Sequence, residues 1–147
     1  MKVLISPFSQ KLRNGKENPK NYPYWRELID LMIKEGMEIT QIGVKGELEL
    51  AKDCRFNLSL SQLRELIKEY DTWISVDNFF HHFCWYYGKK GIALWGISDP
   101  GIFGHKENIN LLKSRDYLRK DQFDLWENAE YSRDAFMKPE EVIKYLI

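Results

Sequence analysis

Short apolar runs alternate with helical patterns along this chain, and that alternation restricts the fold more than any other feature. The run KVLIS at residues 2–6 is rich in β-branched residues and ends at Pro7, which predicts a buried first strand. A brief third strand is expected at residues 55–57, and similar apolar runs recur at residues 37–43, 72–76, 91–96 and 108–112. Strands that alternate with helices at this spacing predict an α/β fold, a Rossmann-like doubly wound parallel sheet with helices on both faces.

Helix start and stop signals lie between these strands. Pro23 suits a first helical turn, apolar residues follow it at helical spacing, and Gly36 supplies a left-handed stop. Ser59 and Gln62 can form a capping box ahead of the next helix. A further helix is expected over residues 78–87.

The length of 147 residues fits one domain, which we expect to cover residues 1–147. The segment at residues 113–147 has charges and aromatics but poor periodicity, and only its last part, from Pro139, predicts a terminal helix. The chain has 22 basic and 22 acidic side chains, so its formal net charge is zero. No overall field attracts polyanions, and we expect no nucleic acid partner.

The two cysteines and the hydropathy bear on the compartment. Cys54 and Cys84 lack the spacing of a metal site, so reduced thiols are expected. The start MKVLISPFSQ is too short for a signal-peptide core, and no other stretch approaches a membrane span. We therefore expect a soluble cytoplasmic protein without a membrane span.

Polar side chains follow the strand TWISV at the point where a helix should begin. Asp77 and Asn78 lie at this junction, and in an open parallel sheet ligands bind beyond the carboxyl ends of the strands. Free backbone N–H groups and the helix dipole favour a phosphate there, although Asp and Asn are also the commonest helix caps. His82, four residues after Asn78, should face the same crevice and could donate a hydrogen bond to an anionic oxygen.

No metal and no cofactor are expected. The group formed by His81, His82, Cys84 and His105 invites a zinc interpretation, but adjacent histidines should point to different sides of a helix and no C-x-x-C motif accompanies them. The helix at residues 78–87 is apolar nearly all round. Its outer face should be covered either by the segment at residues 113–147 or by another chain, as in a homodimer or a complex with a partner through this aromatic surface.

The run from Ser75 to Pro100 resembles the signature of family nine glycosyltransferases, the heptosyltransferase-like enzymes of the GT-B fold. Positions that match the signature without a gap are Asp77, His82, Gly88, Lys89, Gly96, Asp99 and Pro100. Upstream, NPKNYPYWRELIDLMIKEG resembles the family's first-helix segment, with Lys20 and Pro23 in register. The resemblance covers about residues 2–112 and implies the C-terminal, donor-binding half of a GT-B enzyme.

This resemblance implies a site for a nucleotide or a nucleotide diphosphate-sugar. Lys20 would neutralise the diphosphate, and Ile42 and Gly43 would lie near the base. The residues implied to line or support the phosphate and sugar end are Asp77, Asn78, Phe79 and His82. Where the family has Thr-Gly after the aspartate, this chain has Asn78 and Phe79, whereas a glycine would let backbone approach a phosphate closely.

Three functions stay open at this point. The first is a glycosyltransferase-like donor-binding domain, which lacks the family's acceptor domain and needs a partner chain for the acceptor site and the catalytic base, so no catalytic residue is assigned. The second is a nucleotide-binding module without turnover. The third is a small nucleoside deoxyribosyltransferase-like enzyme, for which only Glu47 or Glu49 could supply the nucleophilic glutamate.

Overall fold

Six parallel strands form one sheet in the computed structural model, which describes residues 1–147. The strands are β1 (Lys2–Ser6), β2 (Glu38–Gly43), β3 (Asp53–Phe56), β4 (Thr72–Val76), β5 (Ile92–Trp95) and β6 (Ile109–Leu112). Their order across the sheet is β3-β2-β1-β4-β5-β6. The predicted doubly wound parallel sheet is thereby confirmed, with β1 and β4 at its centre.

Five helices accompany the strands: α1 (Trp25–Lys34), α2 (Leu60–Lys68), α3 (Phe79–Tyr86), α4 (Pro100–Phe103) and α5 (Pro139–Val142). The expected capping box at α2 is confirmed, because the Ser59 hydroxyl accepts from the Gln62 N–H at 3.1 Å and the Gln62 side chain accepts from the Ser59 N–H at 2.8 Å. Gly36, just past α1, has a φ of +78° and ends that helix as expected.

The central strand β1 is buried on both faces, which explains its continuous apolar run. Ile5 pairs with Gln41 of β2 and with Ile74 of β4. Val3 and Ile5 point into a core that contains α1, whereas Leu4 points into a second core with α2 and α3. Alternate side chains of β1 thus pack in the cores on the two faces of the sheet.

Some elements differ from the sequence-based expectation. β3 begins at Asp53, two residues before the expected start, and α1 begins at Trp25 rather than at Pro23. The short helix α4 was not expected. It begins at Pro100 with Asp99 as its cap, whose carboxylate accepts from the Gly101 N–H at 2.8 Å.

The segment at residues 113–147 packs against the α1 face of the sheet. Phe136 and Val142 are buried in the core there, and the Tyr22 hydroxyl donates to the Met137 carbonyl at 2.7 Å. A helix starts at Pro139 as expected, but after Val142 it continues only as a 3₁₀ turn over Ile143–Tyr145. Long-range packing therefore orders a segment whose own periodicity is weak.

The outer face of α3 remains exposed, because the buried residues of the segment at residues 113–147 belong to the core on the opposite side of the sheet. The expectation that this segment covers α3 is therefore wrong. We define the exposed aromatics as the α3 aromatic surface, whose members and exposed fractions are Phe79 (56%), Trp85 (43%), Tyr86 (75%) and Tyr87 (41%). None of the helices has the length and apolar character needed to cross a bilayer.

Candidate functional site

The strand order reverses between β1 and β4, and the crevice at their carboxyl ends is where ligands bind in doubly wound sheets. β1 ends at Ser6 and leads into a long loop at residues 7–24, which we call the β1–α1 loop. β4 ends at Val76 and is followed at once by Asp77 and Asn78. The sequence-predicted corner therefore lies at the switch point of the sheet.

One cleft of about 1930 Å³ opens at this edge of the sheet. It exceeds the roughly 300–1,000 Å³ of an ordinary small-molecule pocket, so it has room for a ligand larger than a single sugar or base. All of the sequence-predicted site residues line it: Lys20, Ile42, Gly43, Asp77, Asn78, Phe79 and His82. The structure thus brings together residues that lie up to 62 positions apart in the printed sequence.

Asn78 is a helix cap and a brace at once. Its side-chain oxygen accepts from the Phe80 N–H and from the Ser75 hydroxyl, each at 2.9 Å. Its side-chain nitrogen donates to the Ser6 hydroxyl at 2.9 Å and to the Phe8 carbonyl at 3.2 Å. The cap interpretation of Asn78 is therefore confirmed, and the same amide ties β4 to β1.

Asp77 is a mostly buried carboxylate with two cationic or donor neighbours. Lys20 Nζ lies 3.6 Å from one carboxylate oxygen and His81 Nε2 lies 3.2 Å from the other. Burial opposes ionisation, but the hydrogen bond from His81 and the charge of Lys20 outweigh it and hold the pKa of Asp77 below its usual value. Asp77 is therefore an anion that orients both neighbours.

The β1–α1 loop holds Lys20 through a set of side-chain amides. The Asn18 side chain accepts from the Lys20 N–H at 3.0 Å, and the Asn21 side chain accepts from the Ser9 N–H at 2.7 Å. From the C-terminal segment, the Tyr131 hydroxyl donates to the Asn21 carbonyl at 2.8 Å. The Lys20 side chain, only 17% exposed, is therefore fixed on the cleft rather than free in solvent.

The cleft has more positive than negative side chains, although the whole chain is neutral. Eight lysines and arginines line it, against five aspartates and glutamates. One of the cations, Arg119, stacks its guanidinium 3.6 Å from the Trp126 ring centroid, and Lys20 Nζ lies 4.8 Å from the same ring. This local excess of positive charge suits an anionic ligand.

Glu47 lines the same cleft, although its position in the sequence suggested only a possible nucleophile. Its carboxylate lies over Gly43, where an added Cβ would be 3.0 Å from Oε2, and it accepts from the Val44 N–H at 2.8 Å. Burial raises the pKa of Glu47. No helix begins between β2 and β3, so the premise of a nucleophilic glutamate at a helix start is wrong. The sequence does contain a signal for a different role of Glu47. In dinucleotide-binding folds, an acidic residue shortly after the second strand binds the ribose.

The three histidines converge, against expectation. The ring centroids of His81 and His82 lie 3.9 Å apart, and His82 Nδ1 lies 2.7 Å from His105 Nε2. The premise that adjacent histidines diverge is therefore wrong. Burial and the neighbouring imidazoles lower the pKa values of His82 and His105. His82 lines the cleft, but its closest polar partner is His105, while His81 is the residue bound to Asp77.

Phe79 is the first residue of α3 and its side chain is half exposed at the cleft. Its ring centroid lies 6.3 Å from those of Phe80 and Phe83, so its contacts are with its own helix. The Phe79 ring lies beside the N-terminus of α3, which a phosphate would approach. The family nine glycosyltransferases that the sequence resembles have glycine at this position.

The family model of glycosyltransferase family 9 (heptosyltransferase) matches the chain over residues 2–125. A search of the curated proteins finds no match. The family match includes both the β1–α1 loop and the corner at Asp77.

Solved structures of such enzymes have the same fold. A glycosyl transferase family 9 structure from Veillonella parvula DSM 2008 superposes with a TM-score of 0.71 at 17% identity, over 98% of this chain and 44% of that one. E. coli heptosyltransferase WaaC with ADP superposes with a TM-score of 0.68 at 16% identity, over 98% of this chain and 42% of that one. E. coli ADP-heptose lps heptosyltransferase II superposes with a TM-score of 0.66 at 17% identity, over 99% of this chain and 45% of that one. The present chain thus spans less than half the length of each.

Proposed function

The chain belongs to glycosyltransferase family 9, and on that premise we propose that its cleft binds a nucleoside diphosphate-sugar, the donor of a glycosyl transfer. One observation supports the proposal most directly. Lys20 is held on the cleft 3.6 Å from Asp77, at the switch point of a doubly wound sheet and beside the start of α3. A fixed cation next to a helix N-terminus is suited to a diphosphate.

The diphosphate is proposed to lie between the Lys20 ammonium and the first turn of α3. Asp77 keeps the ammonium at this place, and Asn78 fixes the position of the helix start by joining it to β1. The first backbone N–H groups of a helix have no acceptor within the helix, so those other than the Phe80 N–H, which donates to Asn78, can donate to phosphate oxygens. Phe79 has a Cβ and a ring at this point, which restricts how closely a phosphate can approach.

The nucleoside is proposed to lie over the end of β2. Glu47 offers a carboxylate that can accept from ribose hydroxyls, and the chain leaves room for them by having glycine at position 43. Ile42, the preceding residue, is buried and supplies an apolar contact near the base. One of the superposed enzymes contains ADP, so adenine nucleotides are the first ligands to test.

Transfer of the sugar also needs an acceptor site and a base. We propose that another protein surface supplies both and packs on the α3 aromatic surface. Support comes from the four aromatic side chains there, each between 41% and 75% exposed, since aromatic residues are enriched at interfaces. The comparisons support neither the nucleoside deoxyribosyltransferase nor the binding module without turnover.

The test is a ligand screen by calorimetry and thermal denaturation with ADP, GDP, UDP and the corresponding nucleotide sugars. A ligand at a hundred times its dissociation constant should stabilise the protein by about 2.7 kcal/mol. Product analysis after incubation with the bound nucleotide sugar separates turnover from binding. Failure of every nucleotide to bind or stabilise the chain at millimolar concentration would contradict the proposed donor site.

A further inference from the structure

All three histidines of the chain meet at one place, between the start of α3 and the loop after α4. Each of them offers a ring nitrogen, and these ligand atoms lie within 4.8 Å of one another. His81 is buried, His105 is half-buried and His82 is exposed. Imidazole is the commonest protein ligand for transition metals, so a cluster that uses every histidine of the chain raises the question of a metal.

The buried member of the cluster is prepared for a metal by its hydrogen bond. His81 Nε2 lies 3.2 Å from a carboxylate oxygen of Asp77, and a carboxylate can only accept, so the proton belongs on Nε2. His81 Nδ1 then carries a free lone pair. Metal-binding histidines are characteristically oriented by such a carboxylate on the other ring nitrogen.

That free nitrogen has no partner within the protein. His81 is fully buried, and its Nδ1 makes no hydrogen bond. A buried acceptor without a partner costs free energy, and such atoms are rare in folded proteins. A cation bound at Nδ1 would satisfy it, and each of the two other imidazoles in the cluster offers a further ring nitrogen.

The geometry suits a tetrahedral ion. Two nitrogens bound to one zinc at about 2.0–2.1 Å lie roughly 3.3 Å apart. His82 Nδ1 and His105 Nε2 are 2.7 Å apart, so a small rotation of either ring brings the pair to that separation. The His105 ring stacks on Trp85 with centroids 4.1 Å apart and an interplanar angle of 8°, which fixes its plane.

We propose that His81, His82 and His105 form a three-histidine site for a zinc-class divalent transition metal, with the fourth position open to solvent. Nitrogen donors select Zn²⁺, Cu²⁺, Ni²⁺ or Co²⁺ over Mg²⁺ and Ca²⁺. The ion would tie α3 to the loop that carries His105, and through His81 it would hold Asp77 in place. This inference does not depend on the donor-binding proposal, because none of its observations involves a nucleotide.

The test is equilibrium dialysis and calorimetry with Zn²⁺, using the full chain purified without an oligohistidine tag. We expect one Zn²⁺ per chain. His82→Ala and His105→Ala should each weaken binding by about tenfold or more, since even outer-shell partners of a metal contribute about 10- to 100-fold. Cys54→Ser is the matched control and should bind as the unaltered chain does, because that thiol lies outside the cluster.

Co²⁺ gives a second readout that needs no variant. A tetrahedral Co²⁺ at three imidazoles should show visible d–d bands without thiolate charge-transfer absorption, and Zn²⁺ should displace it. Absence of stoichiometric binding by the unaltered chain would overturn the proposal. Thiolate absorption, or full binding by His105→Ala, would equally overturn it. The imidazoles would then be a hydrogen-bonded cluster only.

Discussion

The side-chain amide of Asn78 donates a hydrogen bond to the Ser6 hydroxyl at 2.9 Å, and thereby joins the carboxyl ends of the two strands between which the sheet order reverses. The same side chain caps α3 through the Phe80 N–H. Both of its polar atoms are therefore engaged within the protein. The residue that the family resemblance places at the phosphate supports the site through the fold.

Replacement of Asn78 should lower the free energy of unfolding more than replacement of a residue that only caps a helix. Asn78→Ala removes the cap and the bonds to β1, and we expect it to lower the free energy of unfolding by about 2–3 kcal/mol. Ser59→Ala removes only the capping box of α2 and should cost about 1 kcal/mol. Urea denaturation at pH 7 measures both. Equal losses in the two variants would show that the bonds to β1 contribute little.

Lys20 should discriminate between phosphates and nucleosides. We expect Lys20→Met to lower the affinity for ADP by about tenfold to a hundredfold, because one charge-assisted hydrogen bond is lost. The affinity for adenosine should be nearly unchanged. Lys34→Met, on the exposed end of α1, is the matched control and should leave both affinities unchanged. Calorimetry gives the dissociation constants. Equal weakening of ADP and adenosine would contradict a phosphate role.

Glu47 should show the opposite selectivity. Glu47→Gln replaces the carboxylate over Gly43 and should lower the affinity for ADP by about tenfold, because a charged acceptor for ribose hydroxyls is lost. Pyrophosphate, which has no ribose, should bind as before. Glu49→Gln, an exposed residue outside the cleft, serves as the control. A loss of pyrophosphate affinity in the Glu47 variant would show that this region contacts phosphate instead.

The stability contributed by Asp77 should depend on pH. Because its folded pKa is lowered, the charged carboxylate stabilises the protein fully above its ordinary pKa of about 3.9, and this contribution is lost as the pH falls through the folded value. We expect Asp77→Asn to cost about 3 kcal/mol at pH 5 and progressively less toward pH 3. Urea denaturation over this range tests it, with the exposed Asp30→Asn as control. A difference that does not change between pH 5 and pH 3 would contradict the assignment of Asp77 as an anion.

The C-terminal segment should be coupled to the sheet through one glycine. A Cβ at Gly96 would lie 2.6 Å from Phe136 Cζ, so Gly96→Ala should destabilise by about 2–3 kcal/mol through overpacking. Phe136→Leu shortens the opposing side chain and should recover part of that loss in the double variant. A double-mutant cycle measured by urea denaturation gives the coupling free energy. Strict additivity would mean that the two residues do not meet.

Much of the fold was predictable because its signals are local. The apolar runs, the capping box at Ser59 and the glycine stop at Gly36 each act within a few residues, and the alternation of elements predicted the sheet. The resemblance to family nine glycosyltransferases is confirmed. The segment at residues 113–147 was not predictable, since its order comes from partners such as Tyr22 and Met137, which lie 115 positions apart.

All seven expected residues line one cleft, and their roles in binding stay predictions. The strand-to-helix junction indicated Asp77, Asn78 and His82, whereas the other four were implied only by the family resemblance. Spacing along a helix does not determine side-chain rotation, which is why the convergence of His81 and His82 was missed. Glu47 was considered only as a nucleophile at a helix start, and no helix forms after β2. Arg119 was not expected at the cleft because it lies in a segment without periodicity.

The β1–α1 loop depends on residues that are synthesised much later. Its Asn21 carbonyl is bound by the Tyr131 hydroxyl, 110 positions further along, and the Tyr24 hydroxyl accepts from Lys138, 114 positions further along. During translation the six strands can therefore emerge before the Lys20 loop gains these anchors. A nascent chain arrested shortly after β6 would have the residues of the sheet and of the Lys20–Asp77 ion pair but would lack the Tyr131 and Lys138 anchors, so we expect the β1–α1 loop to be fully ordered only once residues 131–138 have left the ribosome.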